Sequence, residues 1–283
     1  MRSQVRSLEG ARAFVEHADV TLTLVAGDDA RRWLQDLVTT NVATLDRGQS
    51  RPSFLLTPTG RIRAAFQVLC LGERDLLLAQ PIDQPASVAD LLAPYVLSSD
   101  VTIDVSSRVR LFAVPGASSG PAWSGQGWRP SIHGPGVDLL IEGTEEDRAE
   151  ARLRLEAEGL VPVGSEAVEA RRIELGMPRF PVDLDEESLP AEGELQGEEI
   201  DFTKGCFLGQ EAVAKVRNLG HPTRVVLAAR WDGPVRPRDA VRTGGRDVGV
   251  VTSANGSSAI IRVRWDARDA PLATAAGTPL HLR

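Results

Sequence analysis

The chain has 283 residues, 42% of them apolar and 25% charged, with a net charge of −7, two cysteines and four histidines. That length exceeds one ordinary domain and supports two or three cores, while the acidic balance argues against a general binder of nucleic acid or anionic membrane. Two cysteines make no disulfide framework and, with four histidines, no spaced zinc motif; the start lacks an apolar signal core and no 18-residue apolar run occurs, so a soluble cytoplasmic protein is expected.

Residues 1–19 read as a short amphipathic segment. Residues 20–25 alternate in polarity, which predicts a strand. Asp28 or Asp29 then stands where it can cap a helix over 30–38. Trp33, Leu34, Leu37 and Val38 share one face of that helix, so Trp33 reads as core. Residues 53–56 and 61–70 read as a hairpin around Thr57-Pro58-Thr59-Gly60, with Cys70 among apolar neighbours. A strand at 75–79 and a helix over 86–92 follow, then strands at 101–105 and 108–114. Residues 115–135 are rich in Gly, Ser and Pro and hold Trp123 and Trp128, a loop-rich insertion with one short strand near Trp128. A strand at 137–142 leads to a Thr144/Asp147 capping box, opening a helix that runs to about Glu158 and closes at Gly159. Ser165 caps a second helix over 166–175, ended by Gly176 and Pro178. Residues 177–203 are irregular and acidic, with Asp183, Asp185, Glu186, Glu187, Glu192, Glu194, Glu198, Glu199 and Asp201. Most of these read as a solvated loop, although so long a structureless connection is often functional.

Beyond a helix-like run at 210–218 the pattern turns to β. Segments 225–231, 247–252 and 259–265 are separated by Gly244-Gly245 and Asn255-Gly256, the latter a strong hairpin signal, and 279–282 can close the sheet. Residues 223–283 therefore read as a small all-β barrel, and the first 222 as α+β.

The densest chemistry lies at 201–211, Asp-Phe-Thr-Lys-Gly-Cys-Phe-Leu-Gly-Gln-Glu. Cys206 sits at a turn leading into a helix N-terminus with Lys204 two residues before it, a setting that favours thiolate. Gly205 and Gly209 suggest positive φ or a close backbone approach. The competing reading is an inert buried cysteine.

Lys-Gly-Cys-Phe-Leu-Gly-Gln-Glu at 204–211 resembles the Lys-Gly-Cys-Tyr-x-Gly-Gln-Glu signature of YgfZ-type folate-binding proteins, relatives of the aminomethyltransferase (T-protein) of glycine cleavage. Residues 27–42 resemble that family's first helix, Leu56-Thr57-Pro58-Thr59-Gly60-Arg61-Ile62 its hairpin, and Arg172-Ile173-Glu174-Leu175-Gly176-Met177-Pro178 its Arg-Ile-Glu-x-Gly segment, all in the expected order. The resemblance implies an α+β fold of three domains in a ring around a central tetrahydrofolate pocket, with a C-terminal all-β barrel. The expected boundaries are 1–105 and 106–222, as two interleaved subdomains, and 223–283. It implies that Glu174 accepts paired hydrogen bonds from the pterin ring, with Arg172 and Gln210 in the same pocket; an ion pair of Glu174 with Arg171 or Arg172 is the plainer reading. There are departures. Residues 78–87 lack the Asn and the catalytic aspartate of T-proteins, with Asp83 and Asp90 the nearest and neither well placed. Val20 and Val168 stand where tryptophans have been associated with folate, and Phe207 replaces the usual Tyr, which favours packing.

The function implied is a tetrahydrofolate-binding accessory protein supporting iron–sulfur cluster assembly or repair. Cys206 would be its nucleophile, redox partner or transient ligand, with Lys204 raising the thiolate fraction. One cysteine does not hold a cluster alone, so the protein would act on an iron–sulfur client or with assembly proteins, as a monomer without resident metal and without nucleic-acid or membrane partners. The alternatives are a tetrahydrofolate-dependent aminomethyltransferase or other one-carbon transferase, with the glycine-cleavage version disfavoured, and a non-enzymatic folate-binding scaffold in which the Lys-Gly-Cys turn is only structural.

Overall fold

A computed structural model describes residues 7–8, 10–106, 109–118, 136–233 and 235–283. The expected insertion with Trp123 and Trp128, and the start of the strand expected from Arg108, lie outside the described residues. The chain forms two compact units. One comprises Met1–Leu55, Ala64–Val168 and Glu198–Leu208, the other Leu56–Arg63, Glu169–Gly197 and Gly209–Arg283.

The first unit opens with a strand that periodicity did not single out, β1 (Ala13–His17), followed by the expected β2 (Val20–Ala26). Helix α1 (Ala30–Gln35) stops at Asp36, short of the expected 38. Asp29 holds the N-cap position without a side-chain cap bond; its carboxylate instead accepts from the Asp100 amide at 3.0 Å. Trp33 is core, as its helical face implies, and donates Nε1–H to the Tyr95 carbonyl at 2.8 Å. β3 (Ser50–Leu56) and β4 (Ile62–Cys70) form the expected hairpin arms, and β5 (Asp75–Pro81) follows. The Ser87 hydroxyl accepts from the Ala89 and Asp90 amides to start α2 (Val88–Leu92), and β6 (Thr102–Ser106) completes a sheet ordered β3-β4-β5-β2-β6.

Alternation decides which face of this sheet each side chain covers. Ala64, Phe66, Val68, Cys70, Leu76 and Leu78 point to the face packed on α1 and α2, with Trp33, Leu34 and Leu92. Leu69, Leu77 and Ala79 point the other way, with Leu22, Leu111 and Leu140. Each fully buried leucine contributes about 1.5–3 kcal/mol. Leu111 and Leu140 belong to β7 (Val109–Pro115) and β8 (Gly136–Glu142). The Thr144/Asp147 capping box forms as expected at the start of α3 (Glu145–Ala157). After it, β9 (Val161–Pro162) pairs in parallel with β1 in a second sheet ordered β8-β7-β1-β9. Helix α4 (Ser165–Leu175) includes Ser165 as its first residue.

In the second unit α4 ends at Gly176, where φ is +71° and an added Cβ would lie 2.5 Å from the Ala228 Cβ, so both conformation and space require glycine. Helix α5 (Gln210–Leu219) precedes the barrel. Its strands are β10 (Arg224–Arg230), β11 (Ala240–Thr243), β12 (Arg246–Asn255), β13 (Ser258–Arg264), β14 (Leu272–Thr274) and β15 (Pro279–Leu282). They close in the order β10-β13-β12-β11-β14-β15 around Trp231, Val225, Ile261, Val263 and Leu280. The Gly244-Gly245 and Asn255-Gly256 turns fall where expected; the short strands β11 and β14 carried no signal of their own.

The acidic stretch needs correction. Asp183 and Glu192 are buried, and Asp185, though exposed, is engaged, whereas Glu186, Glu187, Glu194 and Glu198 face solvent as expected. Arg172 directs all five of its N–H groups at protein acceptors. They reach both Glu169 oxygens (2.8 and 2.7 Å), Asp183 Oδ2 (2.6 Å), the Met177 carbonyl and Ser253 Oγ (2.8 Å). Asp183 also accepts from Ser253 Oγ at 2.7 Å, Thr252 Oγ1 and the Arg179 amide. Arg262 on β13 binds Asp185 and Glu192. Burial works to raise the Asp185 carboxyl, but hydrogen bonds from Arg262 and Ser188 outweigh it and hold it below its ordinary range; at Glu192 burial wins and the pKa is raised. The stretch looks solvated in sequence because its arginine partners lie far away along the chain. Removing one partner of a buried ion pair costs about 3–5 kcal/mol, so Asp183→Ala should lose about that much in urea denaturation, against roughly 0.5 kcal/mol or less for the exposed Glu194→Ala. Equal small losses would contradict this network.

Candidate functional site

Residues 198–208 of the first unit are bound to the loop that follows α1. The Thr39 hydroxyl donates to the Glu199 carbonyl at 2.6 Å, and the Asp201 amide donates back to the Thr39 carbonyl at 3.0 Å. Asp201 Oδ2 accepts from Asn41 Nδ2 at 3.0 Å, and its Oδ1 accepts from the Thr203 amide and hydroxyl. Burial raises the Asp201 carboxyl, but the bonds from Thr203 and Asn41 prevail and lower it. These contacts bend the chain so that the Lys204 side chain turns inward.

Lys204 is buried at 4% exposure. Its ammonium donates to the carbonyls of Gln35 (2.5 Å), Val38 (2.5 Å) and Thr40 (2.8 Å), which engages all three of its hydrogens. One acceptor is the carbonyl of the last residue of α1, which the helix C-terminus leaves without an intrahelical partner, and the other two belong to the loop that follows it. Burial pushes the ammonium down to about 8, against the opposing pull of Asp36 and Asp201. Phe207 is buried, and its ring lies 5.3 Å from the ammonium. The packing role expected for a phenylalanine here is the one observed.

Cys206 is exposed, between the buried Lys204 and the buried Phe207, which overturns the reading of it as a buried core cysteine; Cys70 is the buried one. Arg31 Nη2 approaches the Cys70 sulfur at 3.0 Å. Helix α5 begins four residues beyond Cys206, so the thiol lies outside the first turn, where the dipole acts. Of the two motif glycines, Gly209 has φ +81° and an added Cβ would lie 2.4 Å from the Thr57 carbonyl, while Gly205 has open space around it and no positive φ.

The other expected site residues belong to the second unit. Glu174 is half-buried near the end of α4, and among the described residues its carboxylate is met by Asn255 Nδ2 at 3.5 Å. It makes no ion pair there with Arg171 or Arg172. One oxygen therefore has only a long contact, a donor-poor carboxylate that suits a ligand edge offering paired N–H groups. Arg172 has no N–H left for a ligand. Gln210 is the half-buried first residue of α5.

Within residues 78–87 a pair of glutamines is engaged with the protein. Gln80 accepts from the Val88 amide (2.7 Å) and donates to Gln84 Oε1 (3.1 Å) and the Ala86 carbonyl (2.9 Å); Gln84 exchanges bonds with both backbone groups of Ala65. Asp83 and Asp90 are exposed, and Val20 and Val168 pack in apolar clusters. Among the described residues no group of three or more His, Cys, Asp or Glu is placed to hold a metal ion, and no helix is long and apolar enough to cross a membrane. Sequence reasoning missed Thr39, Asn41 and Asp201 as the residues that bind the motif; the Thr-Thr-Asn run after α1 was the available signal.

No protein-family model matches the chain. It is 26% identical over 257 residues to a chloroplastic protein of Arabidopsis thaliana provisionally named a transferase, covering 82% of this chain and 59% of that one. It is 28% identical over 239 residues to the mitochondrial iron–sulfur cluster assembly factor IBA57 homologue of Cryptococcus neoformans (73% and 63%), and 26% identical over 233 residues to the tRNA-modifying protein YgfZ of Vibrio vulnificus (76% and 68%). The chain thus spans less than two thirds of the length of the first two relatives. The aminomethyltransferase T of the glycine cleavage system from Bartonella henselae matches with a TM-score of 0.82 at 20% identity, over 99% of this chain and 88% of that one. That likeness establishes the α+β fold with its C-terminal six-stranded antiparallel barrel.

Replacing Lys204 with Met would orphan three buried carbonyls, at a cost of about 2–4 kcal/mol in urea denaturation near neutral pH. Since the folded-state pKa lies below the unfolded one, the unfolded chain holds this proton more tightly between about pH 8 and 10.5, and the stability set by this group rises with pH through that window. Lys204→Met should remove that rise. A variant as stable as wild type, with the same pH slope, would contradict the buried-ammonium reading.

Proposed function

We propose, from the premise that this chain belongs to the aminomethyltransferase superfamily, that it is a tetrahydrofolate-binding accessory protein supporting the assembly or repair of iron–sulfur clusters on a client protein, with Cys206 as its working thiol. The observation that carries this reading is the display of Cys206. A turn fixed by Lys204 and Asp201 leaves the thiol open to solvent between two buried neighbours. A single thiolate does not complete an iron–sulfur site, so its metal cargo takes further ligands from the client. The likeness to the Cryptococcus iron–sulfur cluster assembly factor supports the iron–sulfur branch. The closed Gln80–Gln84 pair, with no carboxylate in it, weighs against aminomethyl transfer.

Glu174 is the group we assign to tetrahydrofolate. It would accept two N–H groups from the aminopyrimidine edge of the pterin, and Gln210 would supply a further polar contact. Arg172 orients the end of α4 through its bonds to Glu169, Asp183 and the Met177 carbonyl rather than touching the ligand. When bound, tetrahydrofolate supplies a one-carbon carrier; the chain's own residues supply recognition and the thiol.

Two variants test the two halves separately. In cells lacking their own relative of this chain, wild type should restore iron–sulfur enzyme activity and Cys206→Ala should not, with the melting temperature unchanged; full restoration by Cys206→Ala would remove the thiol from the account. In calorimetry, tetrahydrofolate should bind wild type and lose roughly 10- to 100-fold in affinity with Glu174→Ala, as loss of a charged hydrogen-bonding group implies. Equal binding by both proteins would rule out Glu174 as the pterin ligand.

A further inference from the structure

The second unit carries a basic groove of 740 Å³ on the outside of its barrel, lined by β12, β13, the start of β10 and the segment before β11. Its accessible apolar surface comes from Val182, Val250 and Pro237, and its cations are Arg224, Arg238, Arg262 and Arg264. Asp185, the one acid in the lining among the described residues, is already bound to Arg262. On a chain of net charge −7 this is a local reversal of sign.

Three features of the groove are not needed to build the barrel. Arg224 and Arg264 lie directly opposite each other across the β10–β13 ladder, an arrangement of like charges that destabilises a sheet. The exposed guanidinium groups of Arg224 and Arg238 make no hydrogen bond or ion pair among the described residues, whereas Arg262 is engaged by Asp185 and Glu192, and Arg264 by Asp266. Arg238 also adopts φ +78°, uncommon outside glycine, and is held there by its amide bond to the Val251 carbonyl at 2.7 Å.

We propose that this groove is a docking surface for an acidic polypeptide segment that carries aliphatic side chains. Charge complementarity selects an acidic partner. Val182, Val250 and Pro237 select aliphatic groups, and among the described residues the lining holds no aromatic side chain on which the bases of a nucleic acid would stack. The barrel is closed, so it offers no free strand edge there; recognition works through side chains rather than strand addition. The site is independent of Cys206 and Glu174.

The test measures fluorescence anisotropy of the full chain with a labelled short peptide alternating glutamate and valine. The same peptide with lysine for glutamate, and a single-stranded oligouridylate of similar length, serve as comparisons. The acidic peptide should bind, more weakly as salt rises from about 50 to about 300 mM. The Arg224→Gln/Arg238→Gln double variant should bind it about tenfold less tightly, with a melting temperature no lower than that of wild type. The lysine peptide and the oligouridylate should bind no better than the double variant binds the acidic peptide. No binding by wild type, equal binding by the double variant, or tighter arginine-dependent binding of oligouridylate would each overturn the proposal.

Discussion

One buried ammonium group holds the most distinctive segment of this chain in place. Lys204 comes from a turn without regular structure and ends on the carbonyl of the last residue of α1 and two carbonyls of the loop after it. The two needs match. A helix end must find donors, and a buried lysine must find acceptors or give up its charge. Thr39, Asn41 and Asp201 add bonds on either side, so residues 199–204 and the loop after α1 become one hydrogen-bonded piece. Cys206 and Phe207 then take opposite fates, one outside and one in the core, because the backbone leading to them is already determined.

The second unit solves a comparable problem with charge pairs. Arg172 and Arg262 each draw acidic residues from the 177–197 stretch onto the barrel, and Asp183 becomes fully enclosed with four donors. This explains how a segment with little regular structure keeps a defined path, since its polar groups are paired where they are buried and hydrated elsewhere. It also separates two neighbours on α4 that read alike in sequence. Arg172 is bound on every N–H, while Glu174, two residues on, meets a single long contact from Asn255. Of the two, Glu174 has the capacity left to recognise a ligand.

Patterns of local origin were legible in the sequence. The hairpin around Thr57–Gly60, the Thr144/Asp147 capping box, the Asn255-Gly256 turn and the core position of Trp33 follow from spacing and turn chemistry within a few residues. What escaped depends on contacts distant in sequence. Lys204 reads as a partner for the nearby thiol, yet its hydrogens go to carbonyls more than 160 residues earlier in the chain. Asp183 and Glu192 read as solvated because nothing in their own stretch announces Arg172 and Arg262. Helix α1 ends early where Val38 leaves it to form an antiparallel bridge with Leu55, a partner distant from it in the chain. Cys70 is buried, as its apolar neighbours in β4 imply, whereas the exposure of Cys206 follows from the contacts that hold its turn.

On this account the motif lysine is a clamp and the cysteine its outward-facing end. Amide hydrogen exchange at Asp201 and Thr203 examines the clamp most directly, because the Asp201 amide bonds across to the Thr39 carbonyl and the Thr203 amide bonds within the held turn. Both amides should exchange slowly in wild type and at least about tenfold faster in Lys204→Met, while barrel amides keep their protection. Fast exchange at these two positions in wild type, or unchanged rates in the variant, would contradict the claim that Lys204 holds Cys206 in place.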